Sequence, residues 1–423
     1  ILGIGGIRAI TALGLKPDLY HSNEGHSAFI SLERLRNLIE DHHLTFDQAS
    51  EAVRSSTLFT THTPVPAGHD AFEEDLLRKY ISHYHSRLNI TWDELMALGR
   101  CPGEADRKFN MSYLAAHMSQ ELNGVSKLHG QVSQALFNKL WPGYLKEELY
   151  IGYVTNGVHH PTWIAPEWQQ VYKEITGTVN FDQTDRSLWE KLYSLDDRKI
   201  YEVKTGLKKK LFANIRKRLQ GDMIEKHVSP RTLLNISTHL NEKALTIGFA
   251  RRFATYKRAS LLFRDLDRLA KIVNDPDKPV QFIYAGKAHP HDGGGQDLIK
   301  RVFEISQMPQ FAGKVIFLEN YDIELAKLLV QGVDIWLNTP TRPLEASGTS
   351  GEKAVMNGTL HFSVLDGWWV EGYRAFAGWA LPKKRTFNNQ DLQDDVDAET
   401  IYNMLEYEIT PAFYSYNQEG IPV

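Results

Sequence analysis

Between Glu345 and Gly358 the chain reads Glu-Ala-Ser-Gly-Thr-Ser-Gly-Glu-Lys-Ala-Val-Met-Asn-Gly. A loop rich in glycine and hydroxyl groups runs into a predicted helix there, with Lys353 in its first turn. Unpaired backbone N–H groups and the positive end of the helix dipole make such a turn a receptor for phosphate. A lysine at that point has two chemical uses. It holds a phosphate as a point charge, or it forms a Schiff base with a carbonyl cofactor, pyridoxal phosphate being the usual one. Spacing alone leaves a third reading open, a surface lysine on a capped helix.

A second cluster lies in Phe249–Arg258, where Arg251, Arg252, Lys257 and Arg258 follow the end of a predicted strand. Arginines bind phosphate bidentately, and several together raise the affinity of a site for anions. The alternative is a solvent-facing pair plus two charges at a helix start. The histidine pairs His289/His291 and His62/His69 match no metal-ligand spacing, so no metal site is expected. Leu2–Gly6 is glycine-rich, but no strand precedes it, and it reads as a helix-start turn. The basic run from Arg198 to Arg218 carries an apolar stripe at Leu207, Leu211, Phe212 and Ile215, which predicts a solvated amphipathic helix.

These residues must be held by strands and helices. Pro17–Asn23 and Thr57–Thr61 read as strands whose ends deliver Asn23-Glu24 and His62-Thr63, the place where open α/β sheets put their sites. A helix is predicted from about Ser27 to Glu40, more helices follow the second strand, and residues 164–240 read as helix-rich and charged. From residue 243 apolar strands alternate with amphipathic helices: Leu245–Ala250, Val280–Ala285, Val315–Leu318, Ile335–Leu337 and Leu360–Leu365. Helices are expected near 257–273, 295–306, 322–331 and 352–357. Continuous apolar strands alternating with helices mean a parallel sheet covered on both faces. The expected fold class is α/β, two Rossmann-like domains facing a cleft (GT-B type). The first spans 1–157 and is incomplete, the back half of a domain; the second spans 158–423, with helices packing back after Phe376. No G-x-G-x-x-G follows any strand, which argues against dinucleotide binding.

The lysine segment, EASGTSGEKAVMNGTL, closely resembles the pyridoxal-phosphate segment of the α-glucan (glycogen, starch and maltodextrin) phosphorylases, whose consensus reads roughly EASGTGNMKFMLNG. Other segments follow in family order. Asn23–Ser27 is similar to an Asn-Asp-x-His loop, with Glu24 for Asp, and Thr61-His62-Thr63 to an Asn-His-Thr turn. Phe109–His129 resembles a helical "NM…VNGVxxIH" region, Thr155–Trp163 "TNGITPRRW", Phe249–Arg258 "VKRIHEYKR", and Ala285–Pro290 "GGKAxP". Val315–Tyr321 repeats "VIFLENY", and Asp366–Glu371 resembles "DGANVE" with Trp368-Trp369 for Ala-Asn.

The resemblance implies pyridoxal 5′-phosphate carried on Lys353, with Thr349, Ser350, Tyr321 and Trp163 around it. It implies orthophosphate held by Arg251 (Arg for Lys), Arg252 and Lys257. It places His62, Asn156, Glu345, Ser347, Gly348 and Glu24 at the glucan. The implied reaction is phosphorolysis of an α-1,4-glucan to α-glucose 1-phosphate. The departures are Ser350, Gly351 and Glu352, where the best-known members have Gly-Asn-Met. Two further readings stay open: a cofactor-free retaining glycosyltransferase of the same architecture that uses a nucleotide sugar, and an inactive glucan-binding fragment. The missing front of the first domain is expected to bear on activity.

Bulk properties agree. The 423 residues are enough for two domains with sizeable cores. A net charge of −4 argues against nucleic-acid or membrane-surface partners, while a neutral polysaccharide needs no charged surface. No apolar run approaches a membrane span and no signal peptide opens the chain. A single cysteine, Cys101, excludes an intrachain disulfide and suits the cytoplasm. The resemblance leaves a homodimer open.

Overall fold

The computed structural model describes all residues except 66–67, 104–106, 179–181, 226–239, 382–386, 419 and 423. It divides into two compact units. The first comprises Ile1–Asn156 with Pro343–Ser347 and Asp366–Glu371, and the second comprises the remainder.

The first unit is built on a four-stranded parallel sheet, with β1 (Tyr20–Asn23), β2 (Thr57–Thr60), β3 (Glu121–Gly124) and β4 (Ile151–Tyr153) side by side in that order. Helices α1 (Ile30–His42) and α2 (Phe46–Ser55) follow β1; α2 is opened by a capping box in which Thr45 and Gln48 satisfy each other's backbone N–H. Leu32, Leu35, Val53 and Phe59 are fully buried and form the centre of this core. Only two of the four strands were expected from the sequence. The other two are short and carry turn-like residues, so pattern alone favours helix and linker there. Tertiary packing overrides it. A Cβ at Gly124 would lie 2.7 Å from the Gly130 nitrogen, so the close approach of β3 to helix α3 (Lys127–Phe137) requires glycine.

In α1, Glu33 is fully buried and accepts hydrogen bonds from Arg8, Arg36 and the Tyr84 hydroxyl. Burial alone would raise its carboxyl, but these donors outweigh it and hold the pKa at about 2 against an ordinary 4.5. A carboxylate depressed on folding gives stability that is present above its unfolded pKa and is lost as pH falls through the folded value. The first unit is therefore expected to lose this stability between about pH 4.5 and pH 2. Glu33→Gln should flatten that part of an acid-unfolding curve, and an unchanged acid limb would contradict the assignment.

The second unit holds a six-stranded, all-parallel sheet. Its strands are β5 (Leu245–Ala250), β6 (Val280–Ala285), β7 (Val315–Leu318), β8 (Ile335–Asn338), β9 (Leu360–Val364) and β10 (Gly378–Leu381), in the order β10-β9-β8-β5-β6-β7. Every residue of β5, β6 and β8 is buried, because a core lies on each face. Ile335 and Leu337 enter one core and Trp336 the other. This is the covered parallel sheet that the apolar runs predict.

Three local expectations change. The helix expected at 257–273 is two short 3₁₀ turns followed by Leu266–Val273, because Arg258 sits at φ 49° and Asp265 caps a new start. The tail after Phe376 begins with the edge strand β10 rather than a helix. There Gly378, at φ 146°, lies so close to the His361 carbonyl that a Cβ would approach it to 2.3 Å. Within the basic run, helix α4 (Asp197–Glu225) buries its apolar stripe as predicted, yet two of its lysines also turn inward. Lys208 pairs with Asp334 at 2.5 Å, and the Lys204 amine donates to the carbonyls of Gln331 and Val333, capping helix α5 (Ile323–Gly332). Part of the helix-rich stretch expected at 164–240, namely 179–181 and 226–239, lies outside the described residues. Among the described residues no helix is long and apolar enough to cross a membrane.

Candidate functional site

In the second unit, the lysine segment forms helix α6 (Thr349–Val355), three residues earlier than expected. Gly348 precedes it at φ 86°, a left-handed conformation that suits glycine, and no side chain caps the first turn. Ser350 is tied to the end of β8: its Oγ accepts from Trp336 Nε1 at 3.1 Å and from Asn338 Nδ2 at 3.5 Å. Beneath the helix, Gly351 rests on the buried ring of His361, and a Cβ would lie 2.6 Å from His361 Nε2. Gly351→Ala is expected to cost about 1–3 kcal/mol through overpacking. Thermal unfolding of the two proteins side by side checks this, and an equal midpoint would refute it.

Lys353 is half-buried, and its amine lies 3.8 Å from the centre of the Trp163 ring. Burial lowers its pKa, with Glu352 opposing, so the neutral amine is more accessible than on a surface lysine. Trp163 is held in place by its backbone. Its carbonyl accepts from Asn357 Nδ2 at 2.9 Å and from Gln331 Nε2 at 3.2 Å. Asn357 is fully buried; its Nδ2 also donates to the Lys353 carbonyl and its Oδ1 accepts from Ala165 N–H. One amide thus clamps the lysine helix to the tryptophan loop.

Of the four cations after β5, Arg251 is buried and Arg252 exposed, while Lys257 lies 5.2 Å from the Tyr256 ring centre. The Arg251 N–H donates to Ala285 and the Phe253 N–H to Lys287, which zips together the turns after β5 and β6. Gly286 in that seam has no room for a Cβ, which would lie 2.1 Å from the Arg251 carbonyl. The Arg251 charge acts on two neighbours. It counters the burial that pushes the Tyr321 phenol up, and it adds to the burial that holds His361 neutral, with a pKa of about 3. Arg258, by contrast, is a buried structural cation. It pairs with Asp394 and Asp397 at 2.9 and 2.6 Å and donates to the carbonyls of Thr339 and Pro340.

The lysine segment is divided by the fold: Glu345–Ser347 belong to the first unit, and Gly348 onward to the second. In the first unit these residues are fixed from several sides. Ser126 Oγ donates to the Ala346 carbonyl at 2.7 Å, Glu345 N–H to Asp366, and Trp368 N–H to Ser347. Gly367, at φ 53°, packs against the Ser347 carbonyl, where a Cβ would come within 2.2 Å. Glu371 accepts from Lys127 N–H and from the Thr155 hydroxyl next to Asn156. Asn156 itself donates its N–H to the Val125 carbonyl.

On the same unit Glu24 adopts φ 70°, unusual for a residue with a side chain. One carboxylate oxygen accepts from His62 N–H at 2.8 Å and from the Thr63 hydroxyl at 2.9 Å, so Glu24 shapes the His62 loop. His62 Nε2 lies 2.5 Å from Asn23 Oδ1, and burial lowers its pKa, favouring the neutral ring. Ser126, Asn357, His361 and Glu371 were not picked out as site residues. Their signals are faint: a serine that caps α3, and single residues of the Met-Asn-Gly and Asp-Gly-Trp-Trp-Val-Glu runs.

Residues 16–377 match the family model described as carbohydrate phosphorylase. The chain is 42% identical to a glycogen phosphorylase of Mycobacterium tuberculosis (strain ATCC 25618 / H37Rv), over all of this chain and 50% of the relative. It is 42% identical to a maltodextrin phosphorylase of Thermococcus litoralis, over 98% of this chain and 48% of the relative. It is 39% identical to a glycogen phosphorylase of Aquifex aeolicus, over all of this chain and 60% of the relative. The chain thus spans about half the length of the first two relatives. A family model over most of the chain, with relatives about 40% identical along its whole length, means that the chain belongs to the carbohydrate phosphorylase family.

Proposed function

We propose that the protein acts as an α-1,4-glucan phosphorylase, transferring a terminal glucosyl unit to orthophosphate and leaving a glucan one unit shorter. The observation that carries this reading is Lys353, a half-buried lysine of lowered pKa against an indole face, within the family's lysine segment. The residues present fit pyridoxal 5′-phosphate. A lysine inclined to lose its proton is what a carbonyl group requires. The Trp163 ring offers a flat wall, and the uncapped first turn of α6 offers Thr349 and Ser350 hydroxyls and backbone N–H groups to a phosphate. Lys353 would hold the cofactor covalently, with Thr349, Ser350, Tyr321 and Trp163 around it. When bound, the cofactor supplies a phosphate group that exchanges a proton with the reacting orthophosphate.

The chain's own residues do the rest. Arg251, Arg252 and Lys257 bind orthophosphate and offset the repulsion between two phosphates, a preorganised electrostatic task. The bound orthophosphate gives a proton to the departing glycosidic oxygen, and its oxygen attacks the anomeric carbon through an oxocarbenium-like transition state. His62 and Asn156, with Glu345, Ser347 and Gly348, orient the glucose, and Glu24 acts through His62 as a positioning residue. The single buried cysteine supports a cytoplasmic setting, and a homodimer is the assembly proposed by analogy with the family.

The test is to incubate the protein with a linear α-1,4-glucan, pyridoxal 5′-phosphate and orthophosphate. Glucose 1-phosphate should form with orthophosphate and not without it. Glucan extension from a nucleotide sugar, with no phosphorolysis, would establish the cofactor-free transferase instead.

A further inference from the structure

The second unit carries a cavity of about 990 Å³ at the edge of the sheet where the strands begin, the edge opposite Arg251 and Lys353. Ala244, Pro279, Lys314 and Asp334, which immediately precede β5, β6, β7 and β8, all line it. Its charge is lopsided. Lys204, Lys208, Lys209, Arg216, Lys243 and Lys314 face two carboxylates, Glu242 and Asp334, in a chain whose net charge is −4.

Half of these cations have structural work. Lys204 gives its protons to two carbonyls and the Thr359 hydroxyl, Lys208 to Asp334 and the Ala244 carbonyl, and Arg216 to Glu242. Lys209, Lys243 and Lys314 have no carboxylate partner among the described residues. The Lys314 amine donates to the neutral Asn274 amide, and burial lowers its pKa, so an anion beside it would restore lost solvation. The walls are apolar and aromatic, with Phe413, Tyr416, Tyr201 and Val280 among them. The tail that supplies Tyr416 is fastened. Tyr414 Oη donates to the Pro279 carbonyl at 2.6 Å, and Tyr416 pairs with Pro422. Surplus cations on an apolar, preformed floor are the composition of a site for a small organic anion.

We propose that this cavity binds a phosphomonoester. Lys209, Lys243 and Lys314 take the phosphate, and the organic body lies against Phe413 and Tyr416. Such a site sits at the strand starts, so it is distinct from the residues assigned to the reaction.

Lysine footprinting tests this on the intact chain: acetylation by an N-hydroxysuccinimide ester, read by peptide mass mapping. Ribose 5-phosphate is the probe, with ribose and inorganic phosphate as comparisons. At ligand about ten times Kd, mass action leaves roughly a tenth of the sites free, so acetylation of Lys209, Lys243 and Lys314 should slow about tenfold. Ribose should give no protection, and inorganic phosphate less. In Lys243→Glu, an exposed position, protection of Lys209 and Lys314 should disappear. Absence of protection, equal protection by inorganic phosphate (an adventitious ion only), or protection that survives Lys243→Glu would each overturn the proposal. Lys257, read in the same maps, reports the orthophosphate residues separately, so failure here leaves the phosphorylase reading untouched.

Discussion

Replacing Arg251 with glutamine is expected to lower kcat/KM for orthophosphate by about 10²–10³, equivalent to roughly 3–4 kcal/mol of transition-state stabilisation. The residue is buried at the end of a central strand, and its backbone is zipped to the neighbouring turn. Its charge is felt by Tyr321 and His361, second to their burial. A buried guanidinium of this kind loses little entropy on gripping an anion and costs much when truncated. Arg251→Lys keeps the charge that the family carries at this position and should lose less than about tenfold, since one point charge replaces a bidentate fork. Arg258→Gln makes the control. Its partners are Asp394 and Asp397, so it should lower stability rather than raise KM for orthophosphate. Initial rates at varied orthophosphate, with a thermal midpoint for each variant, separate the cases. An Arg251→Gln protein with unaltered orthophosphate dependence would remove Arg251 from the phosphate site.

The second large effect is expected at Asn357. Its amide reaches Trp163, Ala165 and Lys353, so Asn357→Ala removes the side-chain partner of the Lys353 carbonyl and of the Ala165 N–H, and leaves the Trp163 carbonyl with Gln331. Buried groups left unpaired cost about 1–3 kcal/mol each and add imperfectly, which makes a loss of about 2–4 kcal/mol reasonable for this unit. Asn357→Asp keeps the shape and the acceptor but cannot donate to the carbonyls, and should fare no better. Denaturant midpoints measure the loss. The second readout is retention of pyridoxal phosphate through gel filtration, which should fall with the clamp even where the protein stays folded. A variant as stable as the parent would mean that the clamp is ornamental.

Much of this was legible in the residues, for physical reasons. The lysine segment was legible through its resemblance to a known family, and mostly apolar runs of four to six residues between helices read as covered parallel strands. What stayed hidden depends on contacts distant in sequence. Glu121–Gly124 and Ile151–Tyr153 are strands because neighbours pair with them and Gly124 meets Gly130, not because their own composition favours extension. The division of the lysine segment after Ser347 is set by Ser126 and by Gly367, which no periodicity reveals. The resemblance places Glu24 at the glucan, and only its positive φ and its bonds to His62 and Thr63 show it serving the loop beside it. Lys204 and Lys208 look like members of a solvated charge run, and their burial follows from where α4 lies against the strand starts.

The most direct test of the account is covalent. The protein is incubated with pyridoxal 5′-phosphate, its near-ultraviolet spectrum is recorded, the adduct is reduced with borohydride, and the peptides are mapped by mass. The account predicts a dominant pyridoxyl mark on Lys353, absent from Lys257. An unmarked Lys353, or a mark spread evenly over surface lysines, would contradict it.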